Sequence, residues 1–155
     1  MRETPDEIDA LQRLLDDSLA AGGAHLRSVL DGQGVPATEL VDLLTGMRLL
    51  VLATTAADGR PITGTVDGFF VHGRFHFGTA PDALRTRHLR RDPRVSATHV
   101  PGEHLQVVVH GTAEPVSVEG DLAASLTEQY GDVDWWREAP YFRIEPERMF
   151  TFRLG

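Results

Sequence analysis

A chain of 155 residues with 41% hydrophobic and 25% charged residues has the composition of a globular protein about one domain long. A net charge of −8 argues against nucleic acid as a partner, and no apolar run approaches the roughly 18 residues of a membrane-spanning helix. Without cysteine there are no disulfides and no thiol chemistry, and the acidic start MRETPDEIDA does not read as a signal peptide, so a cytoplasmic protein is expected.

In chain order, Thr4-Pro5-Asp6-Glu7 predicts a helix start, with Thr4 as cap, Pro5 at the first helical position and Glu7 closing a capping box. Ile8, Leu11, Leu15 and Leu19 then make one apolar stripe, ended by Gly22-Gly23. Ala24 to Leu30 adds a short helical turn, and Thr38-Glu39 opens another helix with Leu40, Val41 and Leu44 inward and Gly46 as its stop. Residues 1–46 are therefore expected as a helical extension packed onto the rest of one domain, 1–155. At Leu49 the period changes. Leu49 to Thr55 is an apolar run expected of a strand buried on both faces. Ile62 to Val71 and Arg74 to Gly78 follow as strands joined by a tight His72-Gly73 turn. After a short helix come Arg94 to Val100, closed by Pro101-Gly102, and Leu105 to Val118, with Gly111 at a bulge or close backbone approach. Glu119 to Tyr130 reads as a helix with Leu122 and Leu126 buried, Trp135-Trp136 as a loop, and Met149 to Leu154 as the last strand. Six strands joined mainly by hairpins, with one helix inserted between the third and fourth, predict a mainly β, six-stranded antiparallel split β-barrel with flanking helices.

All 15 basic residues are arginine, so any anion site must be built from guanidinium groups. Five of them, Arg85, Arg87, Arg90, Arg91 and Arg94, crowd the inserted helix and its exit. A cationic patch on an acidic chain points to an anionic ligand. Arg90, Arg91 and Arg94 read as surface or interface ion-pair residues, because Asp92 lies among them. The seven histidines have no cysteine to assist them, so no metal site is expected. His76, His99 and His110 fall on different strands. Trp135 and Trp136, with Tyr141 and Phe142, read as core or interface packing. Nucleophile-elbow, Walker and Gly-x-Gly-x-x-Gly patterns are absent.

The ordered segments LLVLATTAADGRPITGTVDGFF, RFHFGT, RTRHLRRDPRVSATHV and LQVVVHGTAEPV, with RIEPERM after them, resemble the pyridoxamine 5′-phosphate oxidase-like split barrels that bind flavin. The most diagnostic piece is the helix-to-strand join Leu89-Arg90-Arg91-Asp92-Pro93-Arg94-Val95-Ser96, and the resemblance covers residues 43–154. It implies a flavin-binding barrel over 47–155, a homodimer with FMN in a cleft between protomers, and a flavin-dependent oxidoreductase acting on a small molecule. The deazaflavin coenzyme (with reductase activity) is the first alternative; a non-catalytic cofactor-binding or haem-binding module is the next. Carried over by position, Arg85 and Arg87 would hold the phosphate. Phe77, Gly78 and Thr79 at the end of the third strand would reach phosphate or ring, Gln106 would touch the cofactor from the fifth strand, and Thr54 and Thr55 would meet the ring edge. A helix N-terminus after Thr79-Ala80-Pro81-Asp82 suits a phosphate physically. No side chain is assigned as acid or base. The chain departs from the vitamin B6 oxidase itself: that enzyme's arginine and lysine on the second strand correspond here to Gly64 and Phe69, and its C-terminal arginine and histidine set is not found in TFRLG. Vitamin B6 oxidase activity is therefore not expected.

Overall fold

The computed structural model describes residues 2–155. Strands β1 (Met47–Thr55), β2 (Pro61–Val71), β3 (Arg74–Gly78), β4 (Arg94–Gly102), β5 (Leu105–Val116) and β6 (Tyr141–Arg153) pair antiparallel throughout. Their order, β1-β2-β3-β6-β5-β4, closes into a barrel through β4 on β1. Helices α1 (Pro5–Ala21), α2 (Ala24–Leu30) and α3 (Ala37–Leu43) precede the barrel. α4 (Leu84–Arg91) joins β3 to β4, and α5 (Gly120–Tyr130) and α6 (Asp134–Glu138) join β5 to β6. No helix among the described residues is long and apolar enough to cross a membrane.

α1 begins as its sequence requires. The Thr4 hydroxyl accepts from the Glu7 N–H at 3.2 Å, and the Glu7 carboxylate accepts from the Thr4 N–H at 2.9 Å. Such a cap contributes about 0.5–2 kcal/mol. Leu11 and Leu15 then join Leu40, Val41 and Leu44 of the α3 region in the same buried cluster as Leu50, Leu52, Val107, Ile144 and Met149 of the barrel. Polar contacts fix the seam between helix and barrel. The Met149 N–H donates to Ser18 Oγ at 2.9 Å, and the Val35 N–H to Thr151 Oγ1 at 2.8 Å. A second cluster lies outside the barrel, where Leu122 and Leu126 of α5 and Trp136 of α6 cover Phe69, Val71 and Tyr141.

The β2–β3 hairpin turns on two positive-φ residues, His72 (φ 53°) and Gly73 (φ 76°), the backbone shape whose twist suits a two-residue hairpin. Gly111 sits at the shift of register between β5 and β6, where a Cβ would lie 2.0 Å from the Glu145 carbonyl oxygen. The expected close backbone approach is what requires glycine there.

Some expectations need correction. β1 is not buried on both faces: Leu50 and Leu52 point into the core, while Leu49 is 54% and Val51 51% exposed. An antiparallel barrel strand has one inner face, and nothing in the protomer covers the outer one here. Pro101-Gly102 does not close β4, which runs through both residues with a register shift after His99. β6 begins at Tyr141, well before Met149, because residues 141–143 pair with β3 and with the end of β5 at once. Trp135 and Trp136 lie on α6, not in a loop. The Trp136 indole N–H donates to the Gly131 carbonyl at 2.9 Å, which pins that short helix.

Candidate functional site

The site forms where β3 leaves β2. Their pairing runs from Gly68↔Phe77 to Val71↔Arg74 and stops, so the Thr63–Asp67 stretch of β2 keeps its partner β1 on one side and has no strand on the other. A cleft of about 610 Å³ opens along that edge. Its floor is Phe69 and Tyr141, one side is Thr65 to Asp67, and the other is Gly78 to Pro81 with Arg85. Tyr130, Trp135 and Glu138 complete it. Gly78 lets the floor close: a Cβ there would lie 2.7 Å from the Tyr141 ring.

At one end the field is positive. Arg85, half-buried on the first turn of α4, lines the cleft and also the smaller hollow beside it, where its guanidinium lies across Gly64 so that a Cβ on residue 64 would sit 2.5 Å from Nη2. Burial lowers its pKa, but a guanidinium remains charged. α4 has no side-chain cap at its N-terminus, which leaves the Leu84 and Arg85 N–H groups as donors, those of Thr86 and Arg87 being taken by the Ala83 carbonyl. Thr79 is buried, and its hydroxyl lies 3.3 Å from that of Thr86, which also donates to the Ala80 carbonyl at 2.6 Å. The Thr79 N–H is already committed to the Pro140 carbonyl at 3.0 Å.

At the other end the field is negative and the walls are aromatic. The Tyr130 hydroxyl donates to Asp67 Oδ2. Burial, reinforced by that bond and by the Asp67 charge, pushes the Tyr130 phenol well above its usual range. Burial and then the Asp67 charge push Tyr141 up to about 12. Both phenols stay protonated at neutral pH. The Trp135 ring stands edge-on to Tyr130 with centroids 4.8 Å apart and is 57% exposed, whereas Trp136 is 2% exposed beneath Arg137.

The structure thus gathers Gly78, Thr79 and Arg85 in one cleft and scatters the other residues expected there. Thr54 lines a separate hollow of about 200 Å³ on the far side of Arg85, its hydroxyl 2.9 Å from His88 Nδ1. Thr55 is partly buried, and its carbonyl accepts from Arg91 Nη2 at 2.5 Å. Phe77 is fully buried in the core, stacked on Phe142 at 5.7 Å. Arg87 is exposed and lies outside the cleft lining, and Gln106 is exposed on β5 opposite Phe152. Arg94 grips Asp92 through two bonds, 2.9 and 2.7 Å, and holds that carboxyl down at about 2. The histidines do not converge. His76 is buried with Nδ1 on the Arg74 carbonyl at 3.1 Å, and burial lowers it to about 4. His99 bonds the Leu49 carbonyl at 2.9 Å, and His110 bonds Ser96 Oγ at 2.6 Å. No cluster of three metal-binding side chains exists among the described residues.

Sequence reasoning missed Asp67, Tyr130, Trp135, Glu138 and Tyr141 as cleft residues. They come from β2, α5, α6 and β6, and no spacing in the chain announces that these meet. The one available signal was Gly78, a glycine ending a strand where a ring packs on the backbone.

The family model of pyridoxamine 5′-phosphate oxidase matches residues 37–152. No curated protein matches. Among solved structures, the chain is similar to HutZ, the haem storage protein from Vibrio cholerae, at 20% identity and a TM-score of 0.62, covering 76% of this chain and 93% of that one. It is similar to an FAD-binding protein from Mesorhizobium loti at 23% identity and a TM-score of 0.60, over 77% and 93%. An F420 reductase matches at 19% identity and a TM-score of 0.57, over 70% and 93%. At these identities the structural likeness establishes the shared fold.

Proposed function

The chain belongs to the pyridoxamine 5′-phosphate oxidase family, and we propose that it binds FMN in the cleft beside β2 and serves as a flavin-dependent oxidoreductase of a small molecule. The observation that carries this is the Arg85 guanidinium lying across Gly64. The vitamin B6 oxidase's two cations on the second strand are missing here, and the Arg85 guanidinium, which lines the cleft, occupies the space a side chain at Gly64 would fill. The rest of the cleft fits the group. Its volume is within the roughly 300–1,000 Å³ of small-molecule sites. The unpaired β2 edge offers backbone donors and acceptors to a planar ring, and Phe69 and Tyr141 offer apolar faces. Arg85, Thr79 and the first N–H groups of α4 would hold the phosphate. When bound, the flavin supplies hydride transfer, and the chain supplies placement and a partly dry wall.

The same register supports a homodimer with the cleft at its interface. Exposed Leu49 and Val51 pair with Asp67 and Thr65, so the uncovered apolar face of β1 adjoins two residues of the cleft wall. Large exposed aliphatic side chains beside a ligand cleft suit a partner surface.

A deazaflavin coenzyme such as F420 is the second reading. Arg87 and Arg90 are exposed and form no ion pair among the described residues, and they would suit its polyanionic tail. A haem would find no histidine among the residues lining the cleft. Titration of the purified protein with FMN, deazaflavin and haem, read by visible absorption, separates these readings. Saturable binding of FMN alone is expected; uptake of none of the three would end the cofactor proposal.

A further inference from the structure

The cleft holds a second chemistry that a phosphate cannot use. Asp67, which lines the same cleft as Arg85 but lies on the opposite face of β2 from Gly64, is partly buried and accepts the Tyr130 hydroxyl. Glu138 stands exposed at the rim. Neither carboxylate forms an ion pair among the described residues, whereas Asp92, Asp132, Glu39 and Glu145 each hold an arginine. Around them stand the rings of Tyr130, Tyr141 and the exposed Trp135. Aromatic faces attract cations, and a carboxylate withdrawn from water gains most from a cationic partner.

We propose that this end of the cleft binds an organic cation, an arylalkylammonium or an N-alkylated heteroaromatic ring, as the substrate beside the cofactor held at the Arg85 end. The inference rests on the reading of the cleft as a ligand site and names the substrate class for it. An anionic substrate would meet Asp67 and Glu138 at this end, with Arg85 of the same cleft given to the cofactor.

The test uses benzyltrimethylammonium and phenylacetate, aromatic probes of opposite charge, read by quenching of tryptophan fluorescence in the full chain. Saturable quenching by the cation alone is expected, weakened about tenfold in Asp67→Asn and less in Glu138→Gln. Phenylacetate binding as tightly as the cation would overturn the proposal, as would cation affinity unchanged in both variants. Glu138 is exposed, so its variant decides even if Asp67→Asn fails to fold. FMN titration is run separately. Cation binding without FMN binding would sink the cofactor reading and leave this one standing; FMN binding without cation binding would sink this one alone.

Discussion

Replacing Gly64 by alanine tests the cofactor site without removing any group that would touch the cofactor. The new Cβ would lie 2.5 Å from Arg85 Nη2, so the guanidinium must retreat by about 1 Å to reach ordinary contact. A hydrogen bond lengthened by that much is lost. A charge-assisted bond is worth about 1.5–3 kcal/mol, so FMN should bind roughly 10- to 150-fold more weakly. The fold should not suffer. The clashing atom is the far end of a flexible side chain, and alanine is less costly than glycine in a strand by about 0.5–1 kcal/mol. Arg85→Ala should lose a similar affinity, and the double variant should be no worse than either single one, because both act through one guanidinium. The assay is quenching of FMN fluorescence at fixed ionic strength, with Tm measured in parallel. Arg87→Ala, at an exposed position outside the cleft lining, should change Kd by less than about twofold. Unchanged FMN affinity in both Gly64→Ala and Arg85→Ala would refute the reasoning.

Three further outcomes follow from the fold. His72 gives Nδ1 to Glu7 of α1 at 3.0 Å and Nε2 to Asp121 of α5 at 2.7 Å, and the Glu7 hydrogen bond leads the causes that raise its pKa. A raised histidine stabilises fully below its unfolded pKa of about 6.5 and loses that contribution as pH rises through the folded value. The site is 40% exposed, so the effect is at most about 1 kcal/mol; thermal melts from acid to alkaline pH should show the wild type losing its advantage over His72→Gln as pH rises. Gly111→Ala drives a Cβ to 2.0 Å from the Glu145 backbone, which cannot swing away, and should destabilise by about 3 kcal/mol in chemical denaturation. Leu49→Lys should convert a dimer to monomer in sedimentation without lowering monomer stability, since the side chain is exposed in the protomer and faces Asp67 across the β1–β2 pair; a dimer that survives it would remove the β1 face from the interface.

Much of the architecture was written in local pattern. The capping box at Thr4 and Glu7, the two-residue turn at His72-Gly73, the β3 limits and the glycine at the β5 bulge are short-range features, decided by neighbours within a few residues. The ordered motifs from residue 43 onward carried the family, and with it the barrel. β1 misled because an apolar run looks the same whether one face of a strand is buried or both are. The start of β6 misled because its pairing is with strands far away in the chain.

The sequence by itself determined the barrel, the helical front and the arginine helix, because periodicity, capping and turn chemistry act over distances the chain itself spans. Only the tertiary structure decided which arginine lines the cleft and what faces it. The register that ends at Gly68 opens the β2 edge, the missing side chain at Gly64 admits the Arg85 guanidinium, and α5 and α6 bring Tyr130, Trp135 and Glu138 to Asp67. A site assembled from six separate elements is a property of packing, and no linear spacing encodes it. The positive patch seen in the sequence resolves into one inward cation, a bidentate pair at Arg94 and exposed charges between them.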